Sequence, residues 1–302
     1  MVGLVAVSAT NLLGPDKRSQ AGAQETSTEP QGATYRDGHR TLLPTFRLVA
    51  TFGAPLSNSS RLGDLGVGTP TQAADRLVSN VVPAYDLGDK PVMPALELIA
   101  TIAHDVPSSN GLYSSRYSEE AIDQYLSAAR QAGAILILDI QPGHAEWMDE
   151  VRALRKYLEM PDVSLALDPE WSVPKDKIPG KVIGTITAQD INEVSQYVQD
   201  IVDEKNLPQK VLIVHQFKDY QLKDRSQVVD RPGVAIAFNV DGFGTPEQKT
   251  ATYASITSPE RGKVFPYGFK LFYEEDVEYG QRVMTPQEVM SLDPAPDVIV
   301  YE

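Results

Sequence analysis

A chain of 302 residues, 42% hydrophobic and 23% charged, has the make-up of a globular protein with a large core, and α/β barrels run to about 250 residues as one domain. The 27 Lys and Arg against 41 Asp and Glu leave a net charge of −14 without a basic cluster, which excludes nucleic acid as a partner because phosphate affinity needs the opposite sign. The absence of cysteine removes disulfides, thiolate metal sites and a cysteine nucleophile, and fits an exported protein. In chain order, the apolar stretch Val2 to Leu13 is shorter than the roughly 20 residues a membrane span requires, so 1–13 reads as the remnant of a signal sequence. Residues 14–46 are expected to be a flexible linker, since up to His39 the chain is rich in Ser, Thr, Gln, Gly and Glu with almost no large apolar residues. A tether behind an apolar leader makes the expected location secreted or cell-surface, with no transmembrane span.

From Arg47 onward, short apolar runs alternate with amphipathic stretches, the rhythm of a parallel sheet with helical crossovers. Eight strands are predicted: Leu48–Phe52, Val92–Ile102, Ile135–Ile140, Val163–Leu167, Val182–Ile186, Lys210–His215, Val234–Asn239 and Phe269–Tyr273. Helices are marked by their caps: Ser118 before Ala121–Gln131, Thr187 before a stretch ending near Pro208, and Thr245-Pro246-Glu247. Eight strands in this rhythm predict an α/β fold of the (β/α)8 TIM-barrel type over 47–302. A doubly wound open sheet is the alternative, but no G-x-G-x-x-G follows the first strand.

The C-terminal ends of barrel strands converge on one mouth, so reading them amounts to reading a site. The second predicted strand carries Glu97; the third ends Asp139-Ile140-Gln141, the fourth Asp168-Pro169-Glu170-Trp171 and the sixth His215-Gln216-Phe217. The seventh ends Asn239-Val240-Asp241-Gly242-Phe243, and the eighth holds Lys270. Alternate side chains of a strand share a face. Asp168 with Glu170, Asn239 with Asp241, Asp139 with Gln141, and His215 with Val211 and Ile213 are therefore expected to face the barrel axis together. Glu97 and Lys270, each inside an apolar run, need charge partners and are expected to find them in each other or in neighbours such as Asp139.

Carboxylates beside aromatic residues suit sugar chemistry, because two carboxyl groups flanking a glycosidic bond act as acid and as base or nucleophile. By analogy with barrel glycosidases, which use the ends of strands four and seven, Glu170 is the expected general acid and Asp241 the base or nucleophile, with Asp168 tuning its neighbour. Asp139 and His215 complete the catalytic candidates, while Glu97, Gln141, Trp171, Gln216, Asn239 and Lys270 are the candidate substrate contacts. The expected partner is a carbohydrate or cell-wall polymer, and no cofactor is required. Two other functions fit the same mouth: a non-catalytic glycan-binding surface protein, and a metal-dependent phosphodiester hydrolase in which Asp139, Asp168, Glu170 and Asp241 hold Mg2+ or Ca2+. Any one of these residues equally suits a buried structural ion network.

The strings Leu165-Ala166-Leu167-Asp168-Pro169-Glu170-Trp171, Val214-His215-Gln216-Phe217, Asn239-Val240-Asp241-Gly242-Phe243-Gly244, Met284-Thr285-Pro286 and Asp297-Val298-Ile299-Val300-Tyr301 carry a resemblance. From about Arg47 to the end, the chain resembles uncharacterised exported barrel proteins of bacteria, mainly actinobacteria and similar groups, often labelled lipoproteins. The resemblance implies a barrel and export but brings no activity. Relatives often begin with a lipidated cysteine, absent here, and tend to carry a histidine at the end of the first strand, where this chain has Gly53-Ala54-Pro55.

Overall fold

The computed structural model describes residues 32–56, 61–258 and 263–302, and the expected leader and most of the expected linker lie outside them. Eight strands form the barrel: β1 Arg47–Pro55, β2 Val92–Ala103, β3 Ile135–Ile140, β4 Val163–Leu167, β5 Lys210–Gln216, β6 Val234–Val240, β7 Tyr267–Leu271 and β8 Val298–Tyr301. Each pairs in parallel with the next, and β8 pairs with β1 through Leu48 opposite Val298 to Thr51 opposite Tyr301, which closes the ring. Closure leaves no unpaired barrel edge. The strands are buried on both faces, which is why Ile135-Leu136-Ile137-Leu138 and Val211-Leu212-Ile213-Val214 are unbroken apolar runs rather than alternating ones.

Helices cover the barrel where their caps predict them. Glu119–Gln131 starts at Ser118, whose hydroxyl accepts the Ala121 N–H at 3.2 Å. Ala188–Lys205 starts at a reciprocal cap in which Thr187 Oγ1 accepts the Asp190 N–H at 3.2 Å and the Asp190 carboxylate accepts the Thr187 N–H at 2.9 Å. Pro246–Thr257 follows Thr245 in the same way, with Pro246 at the first helical position where its missing N–H costs nothing. Ile191, Val194, Val198, Ile201 and Val202 recur at helical spacing and are buried, so one face of that helix packs on the sheet. Among the described residues, no helix is long and apolar enough to cross a membrane.

The expected strand Val182–Ile186 is not part of the barrel. Its backbone bonds go to the loop after β4 instead, Gly184 N–H to Glu170 O at 2.7 Å and Thr185 N–H to Ser172 O at 3.1 Å. Ile186–Thr187 forms a separate two-residue pairing with Leu222–Lys223. The eighth barrel strand is Val298–Tyr301, so the segments expected as strands six, seven and eight are β5, β6 and β7. The packed body also starts upstream of Arg47: Tyr35, Leu42, Leu43 and Phe46 are buried in the core, and the Leu42 and Leu43 N–H groups both donate to Gln209 Oε1. Residues 32–46 are therefore part of this unit rather than linker.

Candidate active site

The fourth strand leads into a one-turn 3-10 helix, Pro169–Trp171, with Asp168 at its start. The expected phase holds here: Asp168 points inward, where its Oδ2 accepts from Gln141 Nε2 at 3.2 Å and from the Trp171 indole N–H at 3.0 Å. Gln141 is presented by the turn after β3, where Gly143 has φ +61° and a Cβ would lie 2.6 Å from the Tyr113 carbonyl oxygen. That left-handed, crowded position suits only glycine.

Above these groups is a cavity of about 340 Å3 at the C-terminal ends of the strands. Of the expected site residues, Gln141, Asp168, Glu170, Trp171, Asp241 and Lys270 line it. Phe217 and Phe243 form part of its apolar wall, together with Phe52 and Phe272. Trp171 also borders a second cavity of about 790 Å3 containing Arg116, Tyr117 and Lys181. Tyr273, at the end of the eighth predicted strand, lines a different neighbouring cavity with Asp64, Arg76 and Glu302.

Glu97, Asp139, His215 and Asn239 do not line the cavity. They form a layer beneath it, with exposures of 0 to 1%. His215 Nε2 is 3.0 Å from Glu97 Oε1 and 4.0 Å from Asp139 Oδ1; Nδ1 is 3.2 Å from Asp241 Oδ2. Gln216 is buried on the opposite side of β5 from His215, as strand alternation requires, and its Nε2 donates to the Lys218 carbonyl at 3.1 Å. It does not line the cavity, because strand alternation turns it away from the barrel interior.

The expected pairing of Glu97 with Lys270 is also replaced. Lys270 Nζ bonds Glu302 Oε2 at 2.7 Å and lies 3.4 Å from the centre of the Phe52 ring. Glu302 directly follows β8 and lines the cavity. In the sequence Glu302 is marked only by the four-residue apolar run Val298–Tyr301, a β-branched run ending in a carboxylate that is too short to stand out as a strand. A second buried pair fixes the loop bearing Asp241. Lys249 Nζ donates to the carbonyls of Gly242 and Lys270, each at 2.9 Å, and to Asp276 at 3.0 Å. Asp276 in turn accepts the N–H groups of Gly244 and Phe272.

Asp241 follows the sixth strand, not the seventh, so the analogy that paired ends four and seven does not apply to it. What remains is spatial: Glu170 and Asp241 line one cavity, and the Asp241 charge acts on Glu170.

Charge and burial split the carboxyl groups by role. Burial, reinforced by the charges of Asp168 and Asp241, pushes Glu170 up to about 9, so it carries its proton at neutral pH. Asp168 is raised by burial only to about 6, because the cations His215 and Lys270 and the Gln141 amide favour its ionised form. In the layer below, burial and the Asp168 charge hold Asp139 well above the usual carboxylate range. For His215, burial works against the imidazolium but is outweighed by the hydrogen bonds to Asp241 and Glu97. The arrangement can thus donate a proton from Glu170 into a polar cleft walled by aromatic rings and lined by other carboxyl groups.

No family model and no curated protein matches the chain. Solved structures that resemble it include one described as a glycoside hydrolase, at 11% identity and a TM-score of 0.45, covering 85% of this chain and 88% of the other. Another is a GH18 chitinase from Pseudoalteromonas aurantia, at 12% identity and a TM-score of 0.39, covering 84% and 92%. A third is a truncated 3-deoxy-D-arabino-heptulosonate 7-phosphate synthase from Thermotoga maritima, at 11% identity and a TM-score of 0.37, covering 84% and 73%. Likenesses this distant carry no chemistry across. The barrel stands on its own strand pairing, eight parallel strands closed between β8 and β1, as a (β/α)8 fold.

Proposed function

We propose that the chain is an exported carbohydrate-active hydrolase in which Glu170 is the general acid and Asp241 the base or nucleophile. The observation that carries this reading is that Glu170 and Asp241 line one cavity, where burial and the charges of Asp168 and Asp241 push the Glu170 carboxyl up to about 9. Hydrolysis of a glycosidic bond needs one carboxylic acid to protonate the leaving oxygen and one carboxylate to act at the anomeric carbon or on water. Trp171, Phe217 and Phe243 offer apolar faces to sugar rings, and the cleft volume is in the range of small-molecule sites. The second cavity beyond Trp171 gives a longer glycan somewhere to run.

Asp168 has a positioning role. It fixes the Trp171 indole and adds the negative charge that helps keep Glu170 protonated. Lys270, ion-paired with Glu302, places an ammonium at the floor of the cleft. Export is part of the proposal and rests on the cysteine-free composition; cell fractionation tests it.

The catalytic reading is tested by Glu170→Gln and Asp241→Asn, assayed by reducing-end release from a panel of bacterial and plant glycans. The wild type should cleave at least one of them, and each variant should fall by about 10²- to 10⁴-fold, the range for a lost acid or base. Binding without turnover in the wild type would leave only the glycan-binding function. Undiminished cleavage by either variant would remove the assigned pair.

A further inference from the structure

The layer beneath the cleft contains three side chains from three strands that converge on one point: Glu97 of β2, Asp139 of β3 and His215 of β5. One ligand atom from each lies within 4.8 Å of the other two, and all three residues are buried. Both oxygens of Asp139 and Oε2 of Glu97 lack any hydrogen-bond partner. An unpartnered carboxylate oxygen in a dry interior is costly, and one of these, Asp139 Oδ1, lies 4.0 Å from His215 Nε2.

Among the described residues around the barrel axis, the carboxyl groups of Glu97, Asp139, Asp168, Asp241 and Glu302 outnumber the basic groups Lys270 and His215, and Lys270 is engaged by Glu302. The orientation of His215 points the same way. Its Nδ1 lies 3.2 Å from Asp241 Oδ2, while its Nε2 faces Glu97 Oε1 at 3.0 Å and Asp139 Oδ1 at 4.0 Å. A carboxylate behind a histidine whose other nitrogen faces two carboxylates is the arrangement that orients metal-binding imidazoles.

We propose that Glu97, Asp139 and His215 bind one divalent first-row cation, Zn2+ or Mn2+, that ties β2, β3 and β5 together beneath the cleft. One imidazole with two carboxylates suits these ions. Ca2+ takes 6–8 oxygen ligands, more than these groups supply. Binding releases any proton carried by Nε2 or the carboxyl groups, so affinity rises with pH. Because the ligands are inaccessible to solvent, the ion enters as the barrel folds and leaves slowly to chelators. This site does not depend on the hydrolase reading, and its test uses no glycan.

The test is metal content of the untagged, full-length protein, refolded with Zn2+ or Mn2+ and dialysed against metal-free buffer. About one ion per folded chain is expected, with a higher melting temperature than protein refolded in chelator. Asp139→Asn and Glu97→Gln should retain less than about a tenth of that ion and lose the melting shift. Should either variant fail to fold, anomalous diffraction from wild-type crystals grown with Mn2+ decides, with a peak expected between Glu97, Asp139 and His215. A folded wild type without the ion in either metal, variants that keep it, or a peak elsewhere would each overturn the proposal.

Discussion

At the residue scale, the site depends on charges whose partners are few and specific. Lys270 is 3% exposed, and its contacts are Glu302 and the rings of Phe52 and Phe272. Removing one member of such a pair leaves the other charge buried, whereas an exposed pair has water in reserve. Glu302→Gln should therefore cost about 3–5 kcal/mol in urea unfolding. Asp162→Asn, which breaks the half-exposed pair with Arg130, should cost less than about 1 kcal/mol. Equal costs would mean that the Lys270 charge is solvated, contrary to its position. The inward set Asp139, Asp168, His215, Asn239 and Asp241 was legible from strand alternation alone, because period 2 is fixed by backbone geometry. Charge partners were not legible: Glu97 meets His215 and Lys270 meets Glu302 only once the ring is closed, and nothing local in the chain encodes those distances.

At the element scale, the caps at Ser118, Thr187 and Thr245 made helix starts readable, since each is a local interaction between a side chain and an amide three residues on. Strand membership is not local. Val182–Ile186 has the β-branched composition of a strand, yet its amides bond the Glu170 loop, and Val182 and Ile183 remain partly exposed. Val298–Tyr301 is only four residues long but finds partners on both sides. At the start of β5 sits another buried charge, Lys210, whose Nζ donates to the Met160 and Val163 carbonyls at 2.7 and 2.6 Å. Burial pulls this ammonium down to about 7. The unfolded chain, with a lysine near 10.4, binds the proton that the folded chain releases, so this residue makes stability rise with pH from about 7 to 10. Replacing Lys210 by Met should flatten that rise relative to wild type in melting curves taken across the window. A parallel pH dependence in the two proteins would show that Lys210 keeps its ordinary pKa.

At the scale of the whole molecule, the barrel gathers groups that the sequence spreads from Phe52 to Glu302 into one cleft. The α/β class and the barrel were readable from the alternation of apolar runs and capped helices. The strand count was right for the wrong set, and that error moved Asp241 from the end of strand seven to the end of strand six. The cleft itself survived the correction, because residues after any parallel barrel strand meet at the same end. Glu170 is the point where the whole arrangement can be read at once. Its protonation is favoured by burial and by the charges of Asp168, Asp241 and Glu302 from the ends of β4, β6 and β8, and is opposed by Lys270 from β7. A carboxyl titration of Glu170 by carbon-13 NMR, assigned by comparison with Glu170→Gln, therefore tests the site without knowledge of the substrate. A midpoint at about 9 is expected. Titration at about 4.3, the value of a free glutamate, would contradict both the closed geometry of the cleft and the assignment of Glu170 as its acid.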